Sequence, residues 1–553
     1  MLKSVRGQVA APAADGVRPA AQARWSHRWR AAWPYLAWAA GLAAAAVVLF
    51  WCYLRQSQST AVNSDGAGTA LQAWQMLHGN LLLSGWWLAD VTFYSFEVPV
   101  NAVVEAINGL NPDVVHISAA LIYTLLVLTA ALLARGTARG AEGITRALLG
   151  GGVLVAPAIS PGTRILMLSP DHVGVGVPIL LTLLLVDRAR ERWWVPAAAC
   201  VLLTWAQVDD PIATYAAALP VAAVCLLRAA LPLLRRRRPG WYDGALGVAA
   251  VVSAELARLV VAAIKAAGGY SMQSLTNVGK LQPYADWGHL IKASGENVLI
   301  LFGADFYEQP AGVRTVIAYL HFAGLALAVA GLLAGIAGLL RRADRVTQVL
   351  TVGTLVVLGA GTLGTKMTPV SGAHQIAAVL PFGAVLAGRT LGPWLARRRL
   401  PRITLAPLLG LALAGYLAAL GYSAAQPASP AETQGLADFL LAHHLTYGLG
   451  RYWAANSTTL ASDGRVRVAA VQDGARLAYP WVTKPSWYDP AVSYANFVVA
   501  TSGPPTAYAF NDVIVRHTFG KPAREYRYGS YLIMVWNKNL LLQVPPPNQS
   551  RVD

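Results

Sequence analysis

The chain has 553 residues, of which 56% are hydrophobic and only 13% charged, against roughly 25% charged in an ordinary soluble domain. Apolar runs long enough to cross a bilayer recur as far as Tyr422, which excludes a string of soluble domains. The formal net charge of +17 does not indicate a nucleic acid partner, because the basic residues fall in short segments between the apolar runs, where they set membrane orientation.

Residues 1–32 read as a basic, Ala/Pro-rich cytoplasmic tail. The apolar segment from Trp33 to Leu54 that follows is too long for a signal-peptide core and lacks a cleavage site, so it is expected to stay as a first span. Further spans are expected near 114–134, 144–159, 172–186, 193–208, 212–231, 244–265, 313–340, 346–362, 375–391 and 404–423, about eleven in all at about 20 residues each. The expected fold is an all-α polytopic membrane bundle over 33–423, with a small α/β domain over 424–553.

Charge gives the orientation. Arg135 and Arg139, Arg188 to Arg192, Arg235 to Arg238, Arg341 to Arg345 and Arg397 to Arg402 fall in alternate loops, whereas the first loop, Gln56 to Asp113, has no Lys or Arg. Positive loops stay inside, so the N-terminus is expected in the cytoplasm and the C-terminal domain outside a bacterial plasma membrane, facing the cell envelope. Cys52, Cys200 and Cys225 lie in or beside spans, so no disulfide staples the C-terminal domain and no Cys/His spacing suggests zinc.

The first loop is far longer than joining two spans requires, and loops of that length are usually functional. It holds Asp65, Asp90, Glu97, Glu105 and Asp113 without a basic partner. Two amphipathic helices are predicted in it, one with an apolar face of Ala67, Leu71, Trp74 and Leu77, the other with Val100, Val103, Val104 and Ile107. Such helices are expected to lie flat on the bilayer surface. Asp65 either caps the first of them or serves chemistry. Asp90 and Glu97, among Trp86, Trp87, Phe93, Tyr94 and Phe96, suit sugar binding, although aromatic residues at an interface need no function.

Further along, Asp171 and His172 end the second outer loop. Asp209 and Asp210 stand before Pro211, either as a cation or substrate site or as the acidic start of a helix. Glu255 and Arg258, three residues apart within a span, must pair or line a polar cavity, since each alone would cost about 2.5–3.5 kcal/mol at the bilayer centre. The few outer basic groups that can meet an anionic ligand are Arg164, Lys280, Lys292 and Lys366, with His172 and His374 as helpers; Arg258 adds a candidate within the bilayer.

In the C-terminal domain, Ser429, Pro430 and Glu432 form a capping-box-like helix start, and Leu436, Phe439 and Leu440 follow at helical spacing. Strands are predicted at Val466 to Val471, Phe497 to Ala500 and Tyr531 to Trp536, with a helix through Val513 and Val515 that stops at Gly520. Capping the membrane part or binding an acceptor is the role this domain suggests, since it holds no phosphate loop and no nucleophile elbow.

The segment Asn63-Ser64-Asp65-Gly66, just past the first span, resembles the start of the first outer loop in the GT-C superfamily of polyprenyl-phosphate-sugar glycosyltransferases. The layout is similar too: many spans, helices in that loop, and a C-terminal outer domain. The resemblance implies that Asp65 deprotonates an acceptor hydroxyl attacking the sugar's anomeric carbon, with Asp90 and Glu97 in the same site. It implies a polyprenyl-phosphate sugar donor met by Arg164, Arg258, Lys366 and His374, and a glycan, lipid or protein acceptor. Asp171, His172, Asp209, Asp210 and Glu255 are further candidate cavity residues. No DxD stands near Asp65; a divalent metal, Mg or Mn, is the candidate cofactor. No GxxxxGK[ST] occurs, so energy must come from an activated donor or a gradient. The alternatives are a transporter or flippase of an envelope precursor, against which no inverted repeat is visible, and a non-catalytic scaffold whose outer domain binds the cell wall.

Overall fold

The computed structural model describes residues 19–159, 161–168, 172–189, 191–234, 240–273, 280–306, 311–340, 343–365, 367–397, 402–429, 432–501 and 512–545. The chain forms two compact units, Met1–Val48 and Leu49–Asp553. The first contributes the leading part of the helix Pro19–Gln58; the second carries everything described below.

Among the described residues, seven helices are long and apolar enough to cross a bilayer: Leu36–Gln58, Asp113–Arg135, Thr214–Pro232, Trp241–Ala266, Val313–Leu339, Arg345–Leu363 and Ala373–Arg397. The other regions predicted as spans also form helices. Gly140–Val155, Gly176–Arg188 and Val195–Asp209 have 16, 13 and 15 residues, short of the roughly 20 that a crossing needs. The helix Arg402–Ala424 follows with 23 residues. Short helices at membrane depth are tolerated where neighbouring helices cover them. The first three of these contribute Leu154, Ile179, Leu180 and Leu203 to one continuous apolar core with Leu126, Leu350 and Phe382 from longer helices.

Ionic groups close the end of this bundle where the arginine-bearing loops lie. Arg389, buried, reaches Asp187 at 2.8 Å and Asp344 at 2.7 Å, and donates to the Leu133 carbonyl at 2.8 Å. Arg345 bonds Asp243 at 2.5 Å and Glu191 at 3.3 Å. Glu255 and Arg258 pair with each other at 3.0 Å on an exposed helix face, their side chains 64% and 77% accessible. Of the two readings open from sequence, pairing is the one realised.

The C-terminal domain is built on a six-stranded sheet: β1 Tyr447–Gly450, β2 Arg467–Gln472, β3 Leu477–Ala478, β4 Phe497–Thr501, β5 Arg524–Tyr528 and β6 Tyr531–Val535. The order is β3-β2-β1-β4-β6-β5, with β1 parallel to both β2 and β4 and the remaining pairs antiparallel. The helix Tyr452–Ala461 makes the crossover from β1 to β2. Because β2 and β4 flank β1 on opposite sides, the strand order reverses between β1 and β4, so the carboxyl end of β1 is a topological switch point. Pro430 of the predicted helix start lies outside the described residues; the helix Glu432–Ala442 follows it, with Leu436 and Leu440 buried. The helix Asp512–Phe519 stops before Gly520, where φ is +81°, as its sequence predicts.

The helices of the first loop correct one expectation. Ser64–Leu77 does not lie on a membrane surface: Gly66 to Ala73 are buried, Leu71 in the core of the C-terminal domain, Ala67 and Ala70 against Val114 and Leu460. The first half of its apolar face is covered by protein, while Leu77 at its end stays 41% accessible. Glu97–Asn108 does leave an apolar edge open, with Val103 and Ile107 accessible to 65% and 82%.

Breaking the Arg389 cluster tests this architecture. Arg389→Met strands Asp187 beside a buried backbone carbonyl, and removing one partner of a buried pair costs about 3–5 kcal/mol. The purified protein in detergent is expected to melt several degrees lower; an unchanged melting curve would show that the cluster is dispensable.

Candidate functional site

The end of the first long helix is tied into the bundle before the loop begins. Tyr53 donates to the Val155 carbonyl at 3.0 Å, and Ser57 Oγ donates to the Met167 carbonyl at 2.6 Å while standing 2.8 Å from His116 Nδ1. This holds the start of the next helix in place. Asn63, not Asp65, caps that helix: its side-chain oxygen accepts from the Gly66 N–H at 2.9 Å. The Asp65 carboxyl is thereby released from capping.

Asp65 lines a cavity of about 300 Å³ together with Thr69, Gln72, Asp90, Thr92, Phe93, His172, His374, Gln375, Trp481 and Val482. Four of the residues singled out in the sequence, Asp65, Asp90, His172 and His374, thus meet in one place. The wall from the C-terminal domain, Trp481 and Val482, is held by backbone pairing: Trp87 exchanges hydrogen bonds with Thr483 at 2.8 and 3.0 Å, while Leu88 donates to the Ser271 carbonyl at 2.8 Å. Gln273 also donates to the Pro480 carbonyl. A side chain at Gly68 would collide with Val482, so glycine there permits the close approach.

The loop carrying Asp90 is folded around Asp209. One Asp209 carboxylate oxygen accepts from the Ser95 and Phe96 N–H groups at 3.0 and 2.8 Å, and its carbonyl accepts from Phe93 N–H at 2.9 Å. Asp210 does two jobs: it accepts from the Ile212 N–H at 2.9 Å, starting the next helix, and its other oxygen holds His172 Nδ1 at 2.6 Å. The His172 ring stacks on His374 with centroids 5.3 Å apart. Phe93, His172 and Val482 all have positive φ, 49°, 59° and 48°. Non-glycine residues in that region carry strain of order 1–3 kcal/mol each and cluster at functional sites.

The acids here are not ordinary surface carboxylates. Burial raises Asp65, reinforced by the charge of Asp90 and opposed by a hydrogen bond from the Tyr452 hydroxyl. Burial also raises Asp90, with His172 pulling the other way. Glu97 is almost fully buried beside Asp209, and burial together with the charges of Asp209 and Asp210 pushes it well above the usual range. It faces a separate void of about 30 Å³ shared with Asn101 and Ser118, rather than the larger cavity. Burial pushes Glu105 up to about 9.

The remaining candidates lie elsewhere. Arg164 is exposed on the short helix Gly162–Met167, and Arg258 is engaged with Glu255 away from the cavity. Lys366 and Asp171 lie outside the described residues. Among the described residues no three His, Cys, Asp or Glu side chains gather to hold a metal ion. Sequence reasoning did not find Gln72, Gln375, Trp481 or Tyr452. Tyr452 is 387 positions from Asp65, and no local pattern could have joined them.

No protein-family model matches the sequence, and no curated protein does. Solved structures do match. ArnT from Cupriavidus metallidurans in the apo state aligns with TM-score 0.53 at 11% identity, over 93% of this chain and 100% of that one. The same protein bound to undecaprenyl phosphate aligns with TM-score 0.52 at 13% identity, over 90% and 98%. Over nearly its whole length the fold resembles that of ArnT. The oligosaccharyltransferase of Archaeoglobus fulgidus, in complex with Zn and sulfate, aligns with TM-score 0.46 at 12% identity, over 83% and 68%. The near-complete alignment with ArnT spans both the helical bundle and the C-terminal domain.

The state of Glu97 can be measured through stability. A carboxyl raised in the fold stabilises fully below its unfolded value, near 4.3, and loses that contribution as pH rises through the folded value. Wild-type melting temperature is therefore expected to fall across the neutral range, and Glu97→Gln to flatten that slope while melting no lower than wild type at pH 7. A Gln variant as damaged as Glu97→Ala, with the slope retained, would mean the carboxyl is ionised in the fold.

Proposed function

We propose that the protein is a multi-pass membrane glycosyltransferase that moves a sugar from a polyprenyl-phosphate carrier to an acceptor on the extracytoplasmic side. The observation that carries this reading is the cavity in which a carboxylate freed from helix capping, a second carboxylate and a carboxylate-held histidine converge between the first loop and the C-terminal domain. The GT-C-like fold supports it, and ArnT is known bound to undecaprenyl phosphate.

In this reading Asp65 is the general base. It takes the proton of an acceptor hydroxyl, whose oxygen attacks the anomeric carbon. The bond from that carbon to the carrier phosphate breaks, its electron pair leaves with the phosphate, and the proton remains on Asp65. A base raised by burial toward the working pH takes a proton more readily than a surface carboxylate. Asp90 and Gln72, with Trp481 and Phe93 as apolar walls, would orient the sugar ring. His172, fixed by Asp210, is the group in the cavity able to carry positive charge toward the leaving phosphate, with the His374 ring stacked against it. A divalent metal has no three-ligand cluster among the described residues, so no step is assigned to one. Of the four phosphate-binding candidates from sequence, His374 alone lines the cavity among those described.

The test uses purified full-length protein in lipid nanodiscs and undecaprenyl-phosphate-linked hexoses and pentoses, labelled in the sugar. Envelope glycans, glycolipids and exported proteins serve as acceptors. Label is expected to move to one acceptor class, and Asp65→Asn to abolish transfer with folding intact; full activity in that variant would remove Asp65 from its role. The pH–rate profile should show an acid limb above the ordinary carboxylate range near 3.9, with activity lost as pH falls and Asp65 takes up its proton. A limb at or below that value would contradict a buried base. Sealed liposomes that transport the donor unaltered would instead favour a flippase.

A further inference from the structure

We infer that Tyr452 of the C-terminal domain is a positioning residue for Asp65, fixing one carboxylate oxygen so that the other is presented to the cavity. The inference rests on the reading of Asp65 as the base. It starts from a clasp between two chain segments. The Tyr452 hydroxyl donates to Asp65 Oδ1, and the hydroxyl of the preceding residue, Ser64, donates to the Tyr452 carbonyl. Two successive residues of the first loop are thus gripped by the side chain and the backbone of one tyrosine. A single bond would leave the Asp65 side chain free to rotate about it, whereas gripping the backbone beside it as well limits that freedom.

The surroundings make Tyr452 a rigid donor. It is the first residue of the helix Tyr452–Ala461, separated from β1 by Arg451 alone, so it stands just past the carboxyl end of the central strand where the sheet order reverses. That is the position where open α/β sheets present functional groups. Its ring is largely buried, with Tyr479 at 5.4 Å and Trp453 at 5.2 Å between centroids. The same helix sends Asn456 to the Val482 carbonyl at 3.2 Å, which links it to the cavity wall.

The bond is not needed to complete either helix. Asn63 already caps Ser64–Leu77, and the Tyr452 side chain reaches out of its own helix. A phenol donating to a carboxylate favours the charged form, which a base requires at the start of the reaction and which burial alone opposes. The C-terminal domain is therefore part of the transfer site, not only its cover.

Tyr452→Phe removes the hydroxyl and keeps the ring. With the donor and acceptor pair established by the transfer assay, kcat is expected to fall about ten-fold or more, as for loss of a charge-assisted hydrogen bond. The KM for acceptor should stay within about two-fold and melting temperature near wild type. Tyr452→Ala should lower kcat no further once folding is matched, and Ser64→Ala should give a smaller loss of the same kind. If Asp65→Asn is inactive while Tyr452→Phe keeps wild-type kcat, the inference is overturned and the base reading stands. A fall confined to Tyr452→Ala, or a rise in KM with kcat unchanged, would assign Tyr452 to packing or binding and overturn it equally. Full activity of Asp65→Asn would overturn the base reading and this inference with it.

Discussion

Burying carboxylates with few cations nearby is the constraint around which this site is organised. An isolated ionised carboxylate in a low-dielectric interior is too costly to keep, so each acid must be hydrogen-bonded, matched by a cation or protonated. The protein combines such solutions around one site. One oxygen of Asp209 accepts from the backbone N–H groups of Ser95 and Phe96, Asp210 accepts from His172 and the Ile212 N–H, Asp65 accepts from the Tyr452 hydroxyl, and burial beside Asp209 and Asp210 shifts Glu97 toward its protonated form.

The consequences run outward from there. Because Asp209 needs N–H donors, the loop from Thr92 to Phe96 folds over the end of the helix Val195–Asp209, with Thr92 Oγ1 reaching the Val208 carbonyl at 2.6 Å. That fold places Asp90 and Phe93 at the cavity. Because Asp210 holds His172, the imidazole pair with His374 has a defined orientation. Strained backbone at Phe93, His172 and Val482 persists because these contacts over-determine it. At the other end of the bundle the opposite solution operates, with Arg389 and Arg345 directly paired to acids. The candidate site is where acidic groups are held without arginine or lysine partners among the described residues.

The two regions, bundle and C-terminal domain, are joined by the first loop rather than by a simple linker. Leu71, Trp86 and Leu88 of that loop belong to the same apolar core as Leu449, Phe497 and Ile533 of the sheet. Trp87 bridges Ser271 on one side and Thr483 on the other. A cavity walled by both regions is stable only if their relation is fixed, and these contacts fix it. The proposed role of Tyr452 is an expression of the same joining: the group that holds the proposed base comes from the far side of the seam.

Composition and apolar periodicity alone decided that the chain is a helical membrane protein with a C-terminal α/β domain, because bilayer thickness and hydrogen-bond satisfaction leave few other options. They also marked Asp65, Asp90, His172 and His374, since rare acidic and imidazole groups near spans are conspicuous against an apolar background. Periodicity could not say what would cover an amphipathic face: Ala67 and Leu71 read the same whether lipid or protein lies against them, and protein does. Nor could it decide whether Asp65 or Asn63 caps the helix, that Glu255 and Arg258 satisfy each other away from the cavity, or that Tyr452 and Trp481 return to the first loop. Those outcomes depend on contacts between residues hundreds of positions apart, which chain packing creates and local pattern does not encode.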